Sequence, residues 1–247
     1  MRMNFHKKVV LITGAAVGIG RACALKFAEY GADVVIVDRD GEKLEAVKNE
    51  LLALGHRVQA YVCDVRVESQ VLVVVKKALE TMGKIDILVN NAALWRSFHP
   101  FVETTTDEWQ TMFDINVNGT MYFTRAVLPG MVEQKWGRVI NVASVAGVYG
   151  NGNMVTYSAT KGAVIAMTKA LAKEVADKGV TVNAVSPGTV SPSDQEDPDY
   201  TEVNEMNYAN RTGSDNENAG LICYLASEEA AYIAGQNIQI DGCRRKL

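Results

Sequence analysis

The stretch YSATK, Tyr157 to Lys161, sets a phenol and an ammonium four positions apart among small residues. On a helix, positions i and i+4 lie one above the other, so the two groups share one patch of space. A free phenol has a pKa of about 10 and is a poor base at neutral pH; a nearby cation favours its charged form. The pair therefore predicts a proton-moving Tyr157 activated by Lys161. The same pattern also arises by chance on helices, so the elements around it have to place it at a site.

A second cluster lies at the start of the chain. TGAAVGIG, Thr13 to Gly20, follows the apolar run KVVLIT and opens a helix that ends near Tyr30. Gly14, Gly18 and Gly20 let the chain turn tightly, and the free N–H groups of a helix N-terminus suit a pyrophosphate. Asp38 closes the next apolar run, DVVIVD, about 20 residues past the glycines. An acid there holds both ribose hydroxyls of an adenosine and repels a 2′-phosphate. Ala15, Ala16 and Val17 bring no cation to the turn, whereas Arg39 follows Asp38. The expected cofactor is NAD rather than NADP. The competing structural role for an acid here is to cap the following helix, and Asp40 is better placed for that.

These residues need a frame. Strands are expected over 8–13, 33–38, 57–64, 85–91, 137–144, 180–187 and 237–241, and helices over 41–54, 71–82, 106–130, 154–178 and 215–226. Thr106 is the expected N-cap of its helix. The strands are apolar throughout instead of alternating, which suits a parallel sheet covered on both faces. Regular strand–helix alternation gives an α/β fold, doubly wound, with right-handed crossovers. No linker or repeat interrupts it, so residues 1–247 are expected to form a single domain, with an irregular loop at about 188–213.

Composition narrows the function classes. Of 247 residues, 48% are hydrophobic and 22% charged, which is ordinary for a globular chain. The net charge of −4 and scattered basic residues argue against a nucleic-acid partner. Cys23, Cys63, Cys223 and Cys243 are far apart, as are His6, His56 and His99, so no metal spacing or disulfide framework is expected. No apolar stretch reaches signal-peptide or membrane-spanning length, and a cytoplasmic location follows as the expectation.

Taken in order, TGAAVGIG, CDV with Asp64, NNAA at 90–93, INV with Asn116, Ser144, YSATK and PG at 187–188 resemble the short-chain dehydrogenase/reductase family over nearly the whole length. That resemblance implies a mostly parallel seven-stranded Rossmann sheet with helices on both faces, nicotinamide-dependent hydride transfer without a metal, and a homodimer or homotetramer packed through the helices near 107–130 and 154–178. It makes Tyr157 similar to the family's general acid/base and Lys161 to the residue that lowers its pKa and holds the nicotinamide ribose. Ser144 resembles the hydroxyl that orients the substrate oxygen. Asn116 resembles the helix-interrupting asparagine of a proton relay. Asp64 matches the adenine contact, Asn90 the residue beside the adenosine ribose, and Val190 a backbone contact to the carboxamide. Val17, Ile19, Arg39, Val65, Ala92, Pro187 and Gly188 complete the implied cofactor groove.

Three departures stand out. Ala93 replaces a glycine, Pro192 occupies the position of a threonine for which Ser191 or Ser193 is the substitute, and Cys243 replaces the last glycine of DGG, where a buried free thiol is expected. The substrate wall is expected from 94–98 (Leu94, Trp95, Phe98), 145–154 (Val145, Tyr149, Met154) and 189–208. The last carries Asp194, Glu196, Asp197, Asp199, Glu202 and Glu205, read as a solvated surface. An apolar secondary alcohol or ketone, hydroxysteroid-like or otherwise cyclic, is the expected substrate. The alternatives are a 3-oxoacyl thioester and, in another class, a non-catalytic NAD sensor or scaffold.

Overall fold

The computed structural model describes residues 3–95, 98–191 and 196–245. Seven parallel strands form one sheet: β1 (Val9–Thr13), β2 (Asp33–Asp38), β3 (Val58–Val62), β4 (Ile87–Asn90), β5 (Gly137–Val142), β6 (Val180–Pro187) and β7 (Asn237–Ile240). Their order is β3-β2-β1-β4-β5-β6-β7. Val10 pairs with Val34 on one side and with Ile87 on the other, so β1 lies at the point where the winding reverses. In open α/β sheets the crevice at such a point is where ligands bind.

Continuous apolar strands have a simple cause here. Successive side chains point to opposite faces. Val10, Ile12, Val34 and Ile36 join one core with α1 (Gly18–Glu29), α2 (Gly41–Ala53) and α8 (Asp215–Ala226). Val9, Leu11, Val35 and Val37 join the other, with α3 (Glu68–Met82), α5 (Gly119–Glu133) and α7 (Val155–Val175). Phe27 and Phe123, each fully buried, anchor the two layers. The expected doubly wound Rossmann sheet is the observed one.

The differences from the sequence reading are local. The helix expected over 106–130 is α4 (Thr106–Phe113), a π-helical turn over Asp114–Asn118, and then α5. Its N-cap is Thr105, not Thr106: the Thr105 hydroxyl accepts from the Glu108 N–H, and the Glu108 carboxylate accepts from the Thr105 N–H, a reciprocal box. α3 starts at Glu68, earlier than the apolar pattern indicates, because its first turn is polar. The short α6 (Ala146–Tyr149) has no periodic signature and was not expected.

Candidate active site

The end of β1 turns into α1 with Gly14 and Gly18 both at left-handed φ, +65° and +58°. Gly20 is required for contact: a Cβ there would lie 2.0 Å from the Gly14 carbonyl oxygen. No side chain caps α1, whose N-cap is Val17 in an extended conformation. The leading N–H groups of Gly18, Ile19 and Gly20 therefore remain open to an anion.

Two residues that the sequence reading missed hold this turn. Asn91 donates to the carbonyls of Thr13 (3.1 Å) and Gly14 (2.9 Å), and the Thr13 hydroxyl accepts from the N–H groups of Asn91 and Ala92. The second asparagine of NNAA was the available signal. The first, Asn90, turns its side chain into the core, where it donates to Thr124 and Asn141, so only its backbone can border the cofactor groove.

Asp38 lies beside the glycine turn, accepting from the N–H groups of Ala16 and Asp40, both at 3.1 Å. Two carboxylate oxygens accept about four bonds in all, so capacity for two ribose hydroxyls remains. The capping role falls to Asp40, whose carboxylate accepts from Lys43 at the head of α2. Arg66 donates to Asp64 from Nε and Nη2 and holds its carboxyl below the usual range, with Arg39 adding to the effect. Val65 is buried against Gly119 on α5.

The proton-moving cluster forms where β5 ends and α7 begins. Lys161 is buried beneath Tyr157, its Nζ 5.8 Å from the phenol ring centroid, and donates to the Val142 carbonyl at 2.7 Å. Burial lowers the Lys161 pKa to about 8. Burial also raises that of Tyr157, and the Ser144 hydroxyl opposes it by favouring the phenolate. Ser144 Oγ accepts from the Ala146 N–H at 3.1 Å, which directs its own proton away from α6. The closeness of this trio depends on Gly147: a Cβ there would sit 2.5 Å from the Lys161 carbonyl carbon. Gly147 lies three past Ser144, and only the packing of α6 on α7 gives it a role.

Asn116 occupies the middle of the π-helical turn. Its amide accepts from the Leu94 N–H (2.7 Å) and donates to the Leu94 carbonyl (2.9 Å) and to Thr160 (3.0 Å). It fastens the segment after β4 to α7. The expected helix interruption is present, and its side chain is fully engaged.

On the far side, Pro187 ends β6, and its carbonyl accepts from Val145. The Gly188 N–H donates to Ile240, and Val190 pairs with Gly213 in a parallel bridge. The Ser191 hydroxyl is spent inside the loop on Tyr200 and Thr212, so it does not replace the missing threonine. Pro192, Ser193 and Asp194 lie outside the described residues. Glu196, Asp197, Asp199, Glu202 and Glu205 are exposed, as expected of a solvated surface. Ala93 is exposed with no left-handed φ, so its replacement of glycine introduces no strain. Cys243 is exposed, not buried, and sits at a left-handed φ of +62°, because the chain turns there as it leaves β7. The apolar wall is present in part: Trp95 and Phe98 meet edge to face at 5.6 Å, with Leu94 half-buried beside them.

The open α1 terminus, Asp38 and the buried Lys161 together fit a nicotinamide dinucleotide, since they offer partners for its pyrophosphate, adenosine ribose and nicotinamide ribose. Comparison with known proteins agrees. The family model described as short chain dehydrogenase matches residues 8–202. A 3-oxoacyl-[acyl-carrier-protein] reductase, FabG, of Thermotoga maritima is 39% identical over 97% of this chain and 98% of its own. A (2S)-[(R)-hydroxy(phenyl)methyl]succinyl-CoA dehydrogenase subunit, BbsD, of Thauera aromatica is 38% identical over 98% of each. A solved NAD+-bound xylitol dehydrogenase superposes with a TM-score of 0.89 at 33% identity, covering 96% of this chain and 99% of that one. With the switch-point groove, the ordered motifs and these relatives in agreement, the chain belongs to the short-chain dehydrogenase/reductase family of nicotinamide-dependent oxidoreductases.

Proposed function

We propose that this chain is an NAD-dependent oxidoreductase interconverting a secondary alcohol and a ketone, with Tyr157 as general acid/base. The observation that carries the reading is Tyr157 held above the buried Lys161 on one face of α7, with Ser144 against the phenol. In oxidation Tyr157 takes the alcohol proton; in reduction it returns a proton to the substrate oxygen. Ser144 donates to that oxygen, and the bond strengthens as charge develops. Lys161 spends one N–H on Val142 and keeps two, one toward the phenol and one toward the nicotinamide ribose. Asn116 supports a proton path to Lys161 by fixing the π-helical turn against α7. The bound nicotinamide supplies the hydride acceptor or donor.

Asp38 supports NAD over NADP: its carboxylate lies beside the glycine turn, where it would meet an adenosine ribose, and no cation among Ala15, Ala16 and Val17 offsets it. The NAD+-bound structural relative supports the same choice. Leu94, Trp95 and Phe98 favour a substrate with an apolar or cyclic body, of which a hydroxysteroid is one form. A second reading, reduction of a 3-oxoacyl thioester, is favoured by the relatives that bear that name. A non-catalytic NAD sensor is the reading from another class. We place the protein in the cytoplasm as a homodimer or homotetramer joined through α5 and α7; no described helix is long and apolar enough to cross a membrane.

A panel of alcohols, ketones and 3-oxoacyl thioesters, run with NAD and NADP and followed by the absorbance of the reduced cofactor, tests the proposal. Tyr157→Phe should lower turnover by about 10²–10⁴-fold while NAD affinity changes little. Firm NAD binding with no turnover on any member would leave the sensor. Faster thioester reduction with NADPH would favour the second reading.

A further inference from the structure

Four segments meet beyond the C-terminal ends of β5, β6 and β7. They are the turn at Gly188, the link between α6 and α7, the loop at 203–211, and the tail that leaves β7. Gly188 packs against the Asp241 backbone, which brings the tail beside the turn. Arg244 on the tail bridges Asn207 of the loop in antiparallel pairing. Its Nη2 donates to Asn151 Oδ1 at 3.1 Å. The Asn151 N–H donates in turn to the Ser158 hydroxyl at 3.1 Å, one residue past Tyr157.

Arg244 is half-buried, and among the described residues no carboxylate forms an ion pair with it. Among the described residues, the loop acids Glu196, Asp197, Asp199, Glu202 and Glu205 are exposed and leave it unpaired. Its neighbour Arg245 is fixed separately, to Met206 and Asn210 and over the Tyr208 ring, with Nε buried and unpartnered. Withdrawing a cation from water without a counter-charge is unfavourable. A guanidinium has five donors in a planar fork that matches a carboxylate or phosphate, and among the described residues a neutral amide is the only side chain bound to this one.

We infer that Arg244 receives an anionic group of the substrate, so that the compound oxidised or reduced at Tyr157 carries a carboxylate or phosphate. Its apolar body then lies along Leu94 and Trp95. The inference rests on the oxidoreductase reading of the Tyr157–Lys161 site and adds the substrate's charge to it.

Three matched probes separate the sources of charge: 3-hydroxydecanoate, its methyl ester and its coenzyme A thioester. The charged form that is recognised should exceed the methyl ester in kcat/KM by at least tenfold. Arg244→Gln should abolish that preference mainly through KM, and Arg244→Lys should restore part of it. Arg125→Gln, at an exposed arginine paired with Glu68 on α3, controls for the loss of one positive charge. A preference for the free acid assigns a carboxylate, and one for the thioester assigns a phosphate. Equal turnover of all three, or an equal loss on all three in Arg244→Gln, overturns the inference. If none is turned over, the wider panel of alcohols and ketones decides the oxidoreductase reading. Arg244 is then judged by thermal stabilisation of the NAD-loaded protein: stabilisation by 3-hydroxydecanoate but not its ester, lost in Arg244→Gln, supports it, and no difference between the two probes overturns it.

Discussion

Burial lowers the Lys161 pKa to about 8 from the 10.5 of a free lysine, so the folded chain holds this charge against the environment it creates. Below pH 8 the ammonium is present in both folded and unfolded chains, and its burial opposes folding by roughly 3 kcal/mol. Between pH 8 and 10.5 the folded chain gives up the proton first, and the opposition fades as pH rises. Lys161→Met should therefore raise the melting temperature of the cofactor-free protein at pH 7 by a few degrees. The gain should vanish toward pH 10.5, and turnover should be lost throughout. A less stable variant at pH 7 would show that the bond to Val142 outweighs desolvation. Ser144 acts on the other member of the pair. Because its hydroxyl favours the phenolate, Ser144→Ala should move the rise of kcat/KM for alcohol oxidation to higher pH, as well as lowering the maximum. An unmoved profile would mean that Ser144 serves the substrate alone. The types and spacing of Ser144, Tyr157 and Lys161 were legible in the sequence. Gly147 and Asn91 were not, because their roles are contacts with residues distant in the chain.

The helix over 106–133 shows what periodicity misses. Its apolar pattern continues through Asp114–Asn118, yet the backbone there widens into a π-helical turn. The reason is tertiary: Asn116 is drawn into three hydrogen bonds with Leu94 and Thr160, and the turn carries it there. Asn116→Ala leaves the half-buried Leu94 backbone groups without their partner and should cost about 2–4 kcal/mol in urea denaturation. Thr160→Val removes one of these bonds and should cost about 1 kcal/mol. The reverse ranking would mean that Thr160, which also donates to the Tyr157 carbonyl, is the principal tie. At the other end of the same helix the cap was legible as a Thr-rich start, but TTTD offers three candidates. Only the reciprocal bonds with Glu108 select Thr105.

Across the whole molecule, the sheet gathers residues from distant parts of the chain at its C-terminal edge: Gly14 after β1, Asp38 at the end of β2, Asn91 after β4, Ser144 after β5 and Gly188 after β6. α5 and α7 cover one face of that sheet, and α5 presents exposed Met121 outward. Light scattering should return twice or four times the chain mass; a monomeric mass at working concentration would remove α5 and α7 as a joining surface. The apolar strands of a parallel sheet, the glycine turn after β1 and the i,i+4 spacing of Tyr157 and Lys161 could be read from the chain alone, because each is a local pattern with a local physical cause; the roles expected of Ser144 and Asn116 came from the family resemblance. The engaged side chain of Asn116, the inward turn of Asn90, the exposure of Cys243 and the seat of Arg244 were settled only by tertiary structure. Each depends on which distant segment lies alongside, and hydrogen-bond partners and burial are properties of that neighbourhood rather than of the residue.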